Sequence, residues 1–202
     1  MVDSVTWLLA TGNAGKIKEL RRLLAEYPVS VKGLSDYGLK GDAPETGETF
    51  IHNAKQKATY YKERVNVPVL ADDSGLEIDA LQGRPGVHSA YFGNLTTAEE
   101  RNAYTLDLLK GVPPERRTAR FRCMAVFFDG ARWFQHDGTV EGWIAEAPRG
   151  DGGFGYDPLF LLAPEGPGLA EIDAVEKNKI SHRGKAFRGL LADLAEAGVL
   201  PR

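Results

Sequence analysis

The chain has 202 residues, of which 43% are hydrophobic and 26% charged, and it shows no repeat or linker, so we expect a single globular domain over residues 1–202. It has 25 basic and 28 acidic residues, and the formal net charge of −3 excludes the basic surface that a nucleic acid polymer needs. One cysteine excludes an internal disulfide, and no apolar run approaches the ~18 residues of a membrane span, so we expect a cytoplasmic protein that binds no membrane.

The first half of the chain predicts strands alternating with helices. Short apolar runs predict strands, and apolar residues at helical spacing predict helices. Strands are predicted at residues 5–10 and 68–71, and helices at residues 15–27, 47–64 and 97–110. The third helix begins with a capping box formed by Thr97 and Glu100, and it stops at Gly111.

The second half changes to a period of two. Residues 120–128 alternate, and four side chains share one predicted face: Phe121, Cys123, Ala125 and Phe127. Asp129-Gly130 predicts a hairpin turn, and residues 132–134 begin the return strand. A last helix is predicted at residues 184–197. Strand–helix alternation followed by a hairpin indicates a mixed α/β protein.

A glycine-containing loop joins the first strand to the first helix: Thr11, Gly12, Asn13, Ala14, Gly15 and Lys16. Its spacing excludes a Walker loop, which has four residues between the first glycine and Gly-Lys-Ser/Thr. The backbone N–H groups at a helix start and the charge of Lys16 suit an anion. The alternative is a tight turn with a helix cap and a surface lysine.

Adjacent carboxylates, Asp72 and Asp73, follow the strand predicted at residues 68–71. Such carboxylates can hold Mg²⁺, or one can accept a proton from water. The alternative is a strand-end turn, for which one aspartate would suffice. Glu45, before the second helix, could add a third carboxylate, although it could equally serve the helix dipole.

Two further polar segments, both predicted as loops, carry ligand-binding chemistry. Residues 150–158 place four glycines around Phe154 and Tyr156, which allows close backbone approach and offers a ring for a base to stack on. Residues 177–183 hold two lysines, a histidine and an arginine that can bind phosphate and purine edges. The alternatives are a glycine-rich hairpin loop and a solvated charge run in which Ser181 caps the last helix.

Five segments together carry a specific resemblance: TGNAGK, ETGETF, ADDSGLEIDAL, GGFGYDP and SHRGKA, in this order along nearly the whole chain. With them the sequence closely resembles the inosine triphosphate pyrophosphatase family, the noncanonical purine nucleoside triphosphate pyrophosphatases. The resemblance implies an elongated mixed β-sheet flanked by helices, with two lobes and an active-site cleft between them, in a homodimer. It also implies Mg²⁺-assisted hydrolysis of ITP, dITP and XTP to the monophosphate and pyrophosphate, which removes them from the nucleotide pool.

The resemblance also implies roles for residues. Glu45 and Asp73 would hold the metal, and Asp73 would accept the proton of the attacking water, with Asp72 as its neighbour in that role. The remaining substrate-binding residues would be Thr11 to Lys16 and Lys57 for the triphosphate, Ser74, the segment Phe154, Gly155, Tyr156 and Asp157 for the base, and Lys177, His182 and Arg183 for the purine edge.

The sequence departs from the family pattern at two places. His52 stands where glutamate is usual, and Tyr91-Phe92 stand where arginine and tyrosine are usual. Two rival functions remain: a pyrimidine-directed pyrophosphatase of the Maf-like type, and a nucleotide-binding module that does not hydrolyse. The SHR and GGFGYDP segments favour the purine enzyme over the first rival. The paired aspartates disfavour the second, because a pure polyphosphate binder gains little from extra negative charge without a metal.

Overall fold

The structure, a computed structural model, describes residues 5–25 and 27–200 and shows a mixed α/β protein. Its strands are β1 (Val5–Leu9), β2 (Val29–Gly33), β3 (Val69–Ile78), β4 (Thr118–Phe128), β5 (Trp133–Ile144) and β6 (Phe160–Leu161). Its α-helices are α1 (Ala14–Leu24), α2 (Phe50–Lys62), α3 (Ala98–Leu108), α4 (Ala174–Ile180) and α5 (His182–Glu196). Short 3-10 helices lie at Leu34–Tyr37, Asp79–Leu81, Gly86–Asn94, Pro114–Arg116 and Asp157–Leu159.

The strands of the described part form one mixed sheet in the order β2-β1-β3-β4-β5-β6. β1 runs parallel to both of its neighbours, with Leu9 opposite Gly33 of β2 and Leu70 of β3. β6 runs antiparallel to β5. The mixed α/β prediction is therefore confirmed.

The chain divides into two compact units. The first consists of residues up to 73, residues 123–138 and residues from 183 onward, and the second of residues 74–122 and 139–182. The limits of the units fall inside β3, β4, β5 and α5.

In the first unit, side chains from both faces of the strands are buried under helices. Trp7 and Leu9 of β1 pack in a core with leucines of α1 and α5, whereas Leu8 and Ala10 pack in a second core with Ala54 of α2. This division follows from the period of two in a strand, which sends successive side chains to opposite faces. Each residue of β3 in this unit therefore faces either α1 and α5 or α2.

The second unit has a core of its own, in which the Phe121 and Phe160 ring centroids lie 4.7 Å apart. Arg117 is 6% exposed there and donates to three backbone carbonyls, those of Leu109, Val112 and Ala145. Three hydrogen bonds to carbonyls satisfy this buried guanidinium.

The predicted elements of the first half are confirmed apart from their ends. Asn13 caps α1, and Thr97 with Glu100 forms the predicted capping box of α3. Residue 26, inside the first predicted helix, lies outside the described residues. The predicted hairpin is also found, since a four-residue connection joins β4 to β5 and Asp129 Oδ1 accepts hydrogen bonds from the N–H groups of Ala131 and Arg132.

Two sequence predictions of local structure are wrong. Asp72 and Asp73 do not follow a strand but lie inside β3, which continues to Ile78. Residues 177–183 do not form a loop, because α4 and α5 are separated there only by Ser181, which caps the C-terminus of α4. Within residues 5–25 and 27–200, no helix is long and apolar enough to cross a membrane.

Candidate active site

The glycine-containing loop lies beside the first-unit end of β3. Ala10 N–H donates to the Leu70 carbonyl at 2.8 Å, so the chain leaves β1 next to the aspartates. Thr11 Oγ1 accepts from Asn13 N–H at 3.1 Å, and Asn13 Oδ1 accepts from Lys16 N–H at 3.1 Å. Gly12, Asn13 and Ala14 are exposed. An exposed backbone at a helix start, beside the carboxyl ends of parallel strands, is a favourable site for phosphate.

The two adjacent aspartates face opposite sides of β3. Asp72 points with Leu70 towards the core formed by α1 and α5, whereas Asp73 points with Ala71 towards α2. Both are buried, with 1% of Asp72 and 6% of Asp73 exposed. Because their partners lie on different helices, the two carboxylates experience different electrostatic environments.

Asp72 lies among cations. Its Oδ2 accepts from Lys16 Nζ at 2.8 Å and from Arg183 Nε at 3.4 Å, and its backbone carbonyl accepts from Lys57 Nζ at 2.9 Å. Burial alone would raise the pKa of Asp72, but Lys16, Arg183 and Lys57 outweigh it and lower that pKa below its usual range. Arg183 also donates to Glu19 at 2.5 Å. Asp72 is therefore an ionised carboxylate that binds the neighbouring cations. Its lowered pKa makes it a poor base.

Asp73 has the opposite shift. Burial raises its pKa to about 6, with a further upward contribution from Glu45, while Lys16, Lys57 and a hydrogen bond from Asn53 lower it. Asn53 Nδ2 donates to Asp73 Oδ2 at 3.1 Å. A carboxylate with a pKa near 6 is ionised at neutral pH and still basic enough to accept a proton from water.

Lys57 contacts both the backbone of Asp72 and the carboxylate of Glu45. It is 9% exposed, and it forms an ion pair with Glu45 besides its bond to the Asp72 carbonyl. Burial by itself would lower the pKa of Lys57, but Asp72, Glu45 and Asp73 raise it overall, so the ammonium stays charged. Lys57 thus supplies positive charge near both aspartates.

The donor set fits a hard divalent cation in its chemistry. Glu45 and Asp73 are close enough to interact electrostatically, and their mutual repulsion contributes to the raised pKa of Asp73. A cation held by both oxygens would relieve that repulsion, and Mg²⁺ is commonly held by one or two carboxylates together with phosphate oxygens. Within the described residues, no cluster of three or more His, Cys, Asp or Glu side chains is placed to hold a metal. Two carboxylates alone would leave the other coordination positions of Mg²⁺ to phosphate oxygens and water.

In the second unit, the predicted base-binding residues form a compact cluster. Asp157 Oδ2 accepts from Lys177 Nζ at 2.6 Å and from the Phe154 N–H at 2.7 Å. The ammonium of Lys177 lies 4.8 Å from the Phe154 ring centroid, within range of a cation–π interaction. Asp157 is 3% exposed and Lys177 is 4% exposed. A buried ion pair therefore holds the backbone and the ring of Phe154.

The neighbours of Phe154 are tied into the second unit. The Gly155 carbonyl accepts from Asn102 Nδ2 at 3.1 Å, and the Tyr156 hydroxyl donates to the Ser89 carbonyl at 2.9 Å. Burial raises the pKa of Tyr156 to about 12 although Arg101 lowers it, so the phenol is neutral. His182 stacks on Phe121 with ring centroids 4.7 Å apart. Ser74 lies half-buried in β3, directly after Asp73.

The predicted site residues thus divide between the units. The first unit brings together the loop Thr11 to Lys16, Glu45, Lys57, Asp73 and Arg183, and the second holds Ser74, Phe154, Gly155, Tyr156, Asp157, Lys177 and His182. Sequence reasoning missed Asn53 and Asn102, which support these residues. Only the structure marks them, by their burial: each amide lies on a helix, with 2% and 7% exposed. A buried asparagine has to find hydrogen-bond partners.

Comparisons with known proteins agree with the resemblance seen in the sequence. The model of the Ham1 family matches residues 7–193. A dITP/XTP pyrophosphatase of Geobacillus kaustophilus is 50% identical over 185 residues, which cover 91% of each chain. A dITP/XTP pyrophosphatase of Thermus thermophilus is 45% identical over 192 residues, 95% of this chain and 92% of that protein. A HAM1 protein structure from Coxiella burnetii superposes with a TM-score of 0.84 at 38% identity, covering 95% of this chain and 99% of the other.

Proposed function

We propose that Asp73 is the base in the reaction of this chain, which belongs to the Ham1 family and is a dITP/XTP pyrophosphatase. The substrates are the noncanonical purine nucleotides dITP, XTP and ITP. The attacking water forms a bond to the α-phosphorus and transfers its proton to Asp73. The bond between the α-phosphorus and the bridging oxygen breaks, and pyrophosphate leaves the monophosphate. One observation carries the assignment of the base: Asp73 is buried on the α2 face of β3, where Asn53 donates to its Oδ2, and this burial raises its pKa to about 6.

The triphosphate would bind on the loop Thr11 to Lys16. The exposed N–H groups at the start of α1 suit phosphate oxygens, and the half-buried Lys16 and the buried Lys57 bring positive charge towards the leaving pyrophosphate. Ser74, adjacent to Asp73, would contact the substrate. Glu45 and Asp73 would hold Mg²⁺, which supplies positive charge to the phosphate oxygens when it is bound.

The purine would stack on Phe154. Lys177 contacts the ring of Phe154, and Asp157 accepts hydrogen bonds from the Phe154 N–H and from Lys177. Gly155 and Tyr156 would shape the same pocket, and His182 would donate to the 6-oxo group. Contact of Arg183 with the purine, which the resemblance implies, stays a prediction, since its guanidinium donates to Asp72 and Glu19. ATP presents an amino donor at that position and would leave the protein donor unpaired, which costs about 1–3 kcal/mol for a buried group. The homodimer and the cleft between two lobes, which the resemblance implies, stay predictions, and so does the single domain expected from length and composition.

The test is a product assay on the purified protein with Mg²⁺. Separate incubations contain dITP, XTP, ITP, ATP, GTP and the pyrimidine triphosphates, and both pyrophosphate and monophosphate are followed. We expect pyrophosphate from dITP, XTP and ITP, little from ATP or GTP, and none from Asp73→Asn. Asp107→Asn, an exposed change on α3, is the matched control and should keep full activity.

Three outcomes would contradict the proposal in different ways. Orthophosphate as the first product would mean cleavage at the γ-phosphate. A preference for pyrimidine triphosphates would favour the Maf-like alternative. Binding of triphosphate without turnover would favour the binding module.

A further inference from the structure

We propose that Asn53 is a positioning residue that aligns the base Asp73 and the Glu45 loop through a single carboxamide. Its Nδ2 donates to Asp73 Oδ2 at 3.1 Å, and its Oδ1 accepts from the Gly47 N–H at 2.7 Å. Asn53 lies in the first turn of α2 and is 2% exposed. This inference rests on the proposed function, because it concerns the same reaction.

The two partners fix the orientation of the amide. A backbone N–H can only donate, and an ionised carboxylate can only accept, so the oxygen of Asn53 must face Gly47 and the nitrogen must face Asp73. No side chain of the same size other than a carboxamide provides an acceptor on one side and a donor on the other. Aspartate keeps the acceptor but loses the donor, and leucine loses both.

Gly47 allows the loop to approach this closely. A Cβ at Gly47 would lie 2.8 Å from Asn53 Oδ1 and 2.6 Å from Cγ of His52, closer than real Cβ contacts. The backbone of the loop that carries Glu45 therefore packs directly against side chains of α2. The hydrogen bond from the Gly47 N–H to Asn53 connects this loop to Asp73, to which Asn53 donates.

Lys57, one turn further along α2, makes a parallel connection. Asn53 and Lys57 are four residues apart and so share a face of the helix. Lys57 pairs with Glu45 on one side and with the Asp72 carbonyl on the other. Since Lys57 carries the charge that a phosphate needs, Asn53 is left as the neutral member that orients Asp73 and the loop. Its loss should reduce kcat more than substrate affinity.

The experiment compares Asn53→Asp and Asn53→Leu with Gln56→Ala. Gln56 also lies on α2 and holds the same loop, since its Oε1 accepts from the Thr46 N–H at 3.0 Å. It is half-buried, and its hydrogen bonds within the described residues go to Thr46 and not to Asp73. The readouts are kcat and KM for dITP, and the rise in Tm that Mg²⁺ causes in the substrate-free protein. Circular dichroism checks that each variant folds.

We expect Asn53→Asp to lose about 10- to 100-fold in kcat, the usual loss when a residue that orients a metal ligand is changed. KM should stay within about threefold, and Gln56→Ala should keep kcat within about twofold. In Asn53→Leu, where both hydrogen bonds are gone, Mg²⁺ should raise Tm by less than half of the wild-type shift. Asn53→Asp covers the case in which Asn53→Leu does not fold, because it keeps the shape and the bond to Gly47.

Three results would overturn the inference. Equal kcat losses in Asn53→Asp and Gln56→Ala would reduce Asn53 to a loop tether. A loss confined to KM would make it a substrate contact. If Mg²⁺ raised the Tm of Asn53→Leu as much as that of the wild type, Asn53 would not influence the binding of the metal. If the wild type hydrolyses no purine triphosphate, the proposed function fails, but a Mg²⁺ shift that depends on Asn53 and not on Gln56 would still support the alignment.

Discussion

Asp72 and Asp73 are neighbours in sequence and yet behave as two different chemical groups. Asp72 faces α1 and α5, where Lys16 and Arg183 lower its pKa, and Asp73 faces α2, where burial and Glu45 raise its pKa to about 6. The same side chain is a lasting anion on one face of β3 and, on the other, the carboxylate that we propose as the base. The difference shows that the strand period, rather than the residue type, decides which electrostatic environment each aspartate has.

The largest expected difference is in stability. Asp72→Asn should lower the free energy of unfolding by about 3–5 kcal/mol, because Lys16 loses its buried carboxylate partner and Arg183 keeps only Glu19. Asp73→Asn should leave it unchanged or raise it, because burial disfavours the ionised form of that residue. Urea unfolding of both variants without Mg²⁺ measures the two effects. Equal destabilisation would mean that the two faces are electrostatically alike.

The dependence of stability on pH should differ as well. The folded pKa of Asp73, about 6, exceeds its ordinary 3.8, so the proton stabilises the fold below pH ~4 and this contribution disappears as pH rises through about 6. At about 1.4 kcal/mol per pKa unit, the loss is on the order of 3 kcal/mol. The pKa of Asp72 is lowered instead, so its contribution is present above pH ~4 and disappears in more acidic solution.

The measurement is the urea midpoint of the wild type and of Asp73→Asn between pH 4 and pH 7 in a chelator. The wild type should lose stability relative to the variant as pH rises, and Mg²⁺ should remove that difference. Parallel curves without Mg²⁺ would contradict the raised pKa of Asp73.

The smallest expected effect concerns Cys123, whose thiol lies 3.8 Å from Asp72 Oδ2. Burial and Asp72 raise the pKa of this thiol, although Arg183 and Lys16 lower it, so the thiolate does not form in the folded protein. Cys123→Ala should cost about 1 kcal/mol and leave kcat unchanged. In the folded wild type, a thiol reagent should label Cys123 only as fast as the protein unfolds. Rapid labelling would mean that this face of β3 is open.

Most helices and strands could be predicted because their signals are local. The capping box at Thr97 and the Asp129-Gly130 turn specify their structures within four residues, and both were found. β2 was not predicted, since Val29–Gly33 is half-exposed and is set by pairing with β1. The prediction of a loop over residues 177–183 failed for a similar reason. Charge in that segment suggested solvent, whereas Lys177, His182 and Arg183 are buried in helices with partners far along the chain.

By itself the sequence determined the family, the reaction class, the mixed α/β class and the residue types of the site, because these depend on motifs and on periodicity. Only the tertiary structure decided which aspartate suits a base, since that depends on the helix that each face of β3 meets. It also decided that Asn53 reaches Asp73 and Gly47, residues 20 and 6 positions away. Charge and burial act through space, and a pKa or a hydrogen bond is therefore set by neighbours that sequence spacing does not specify.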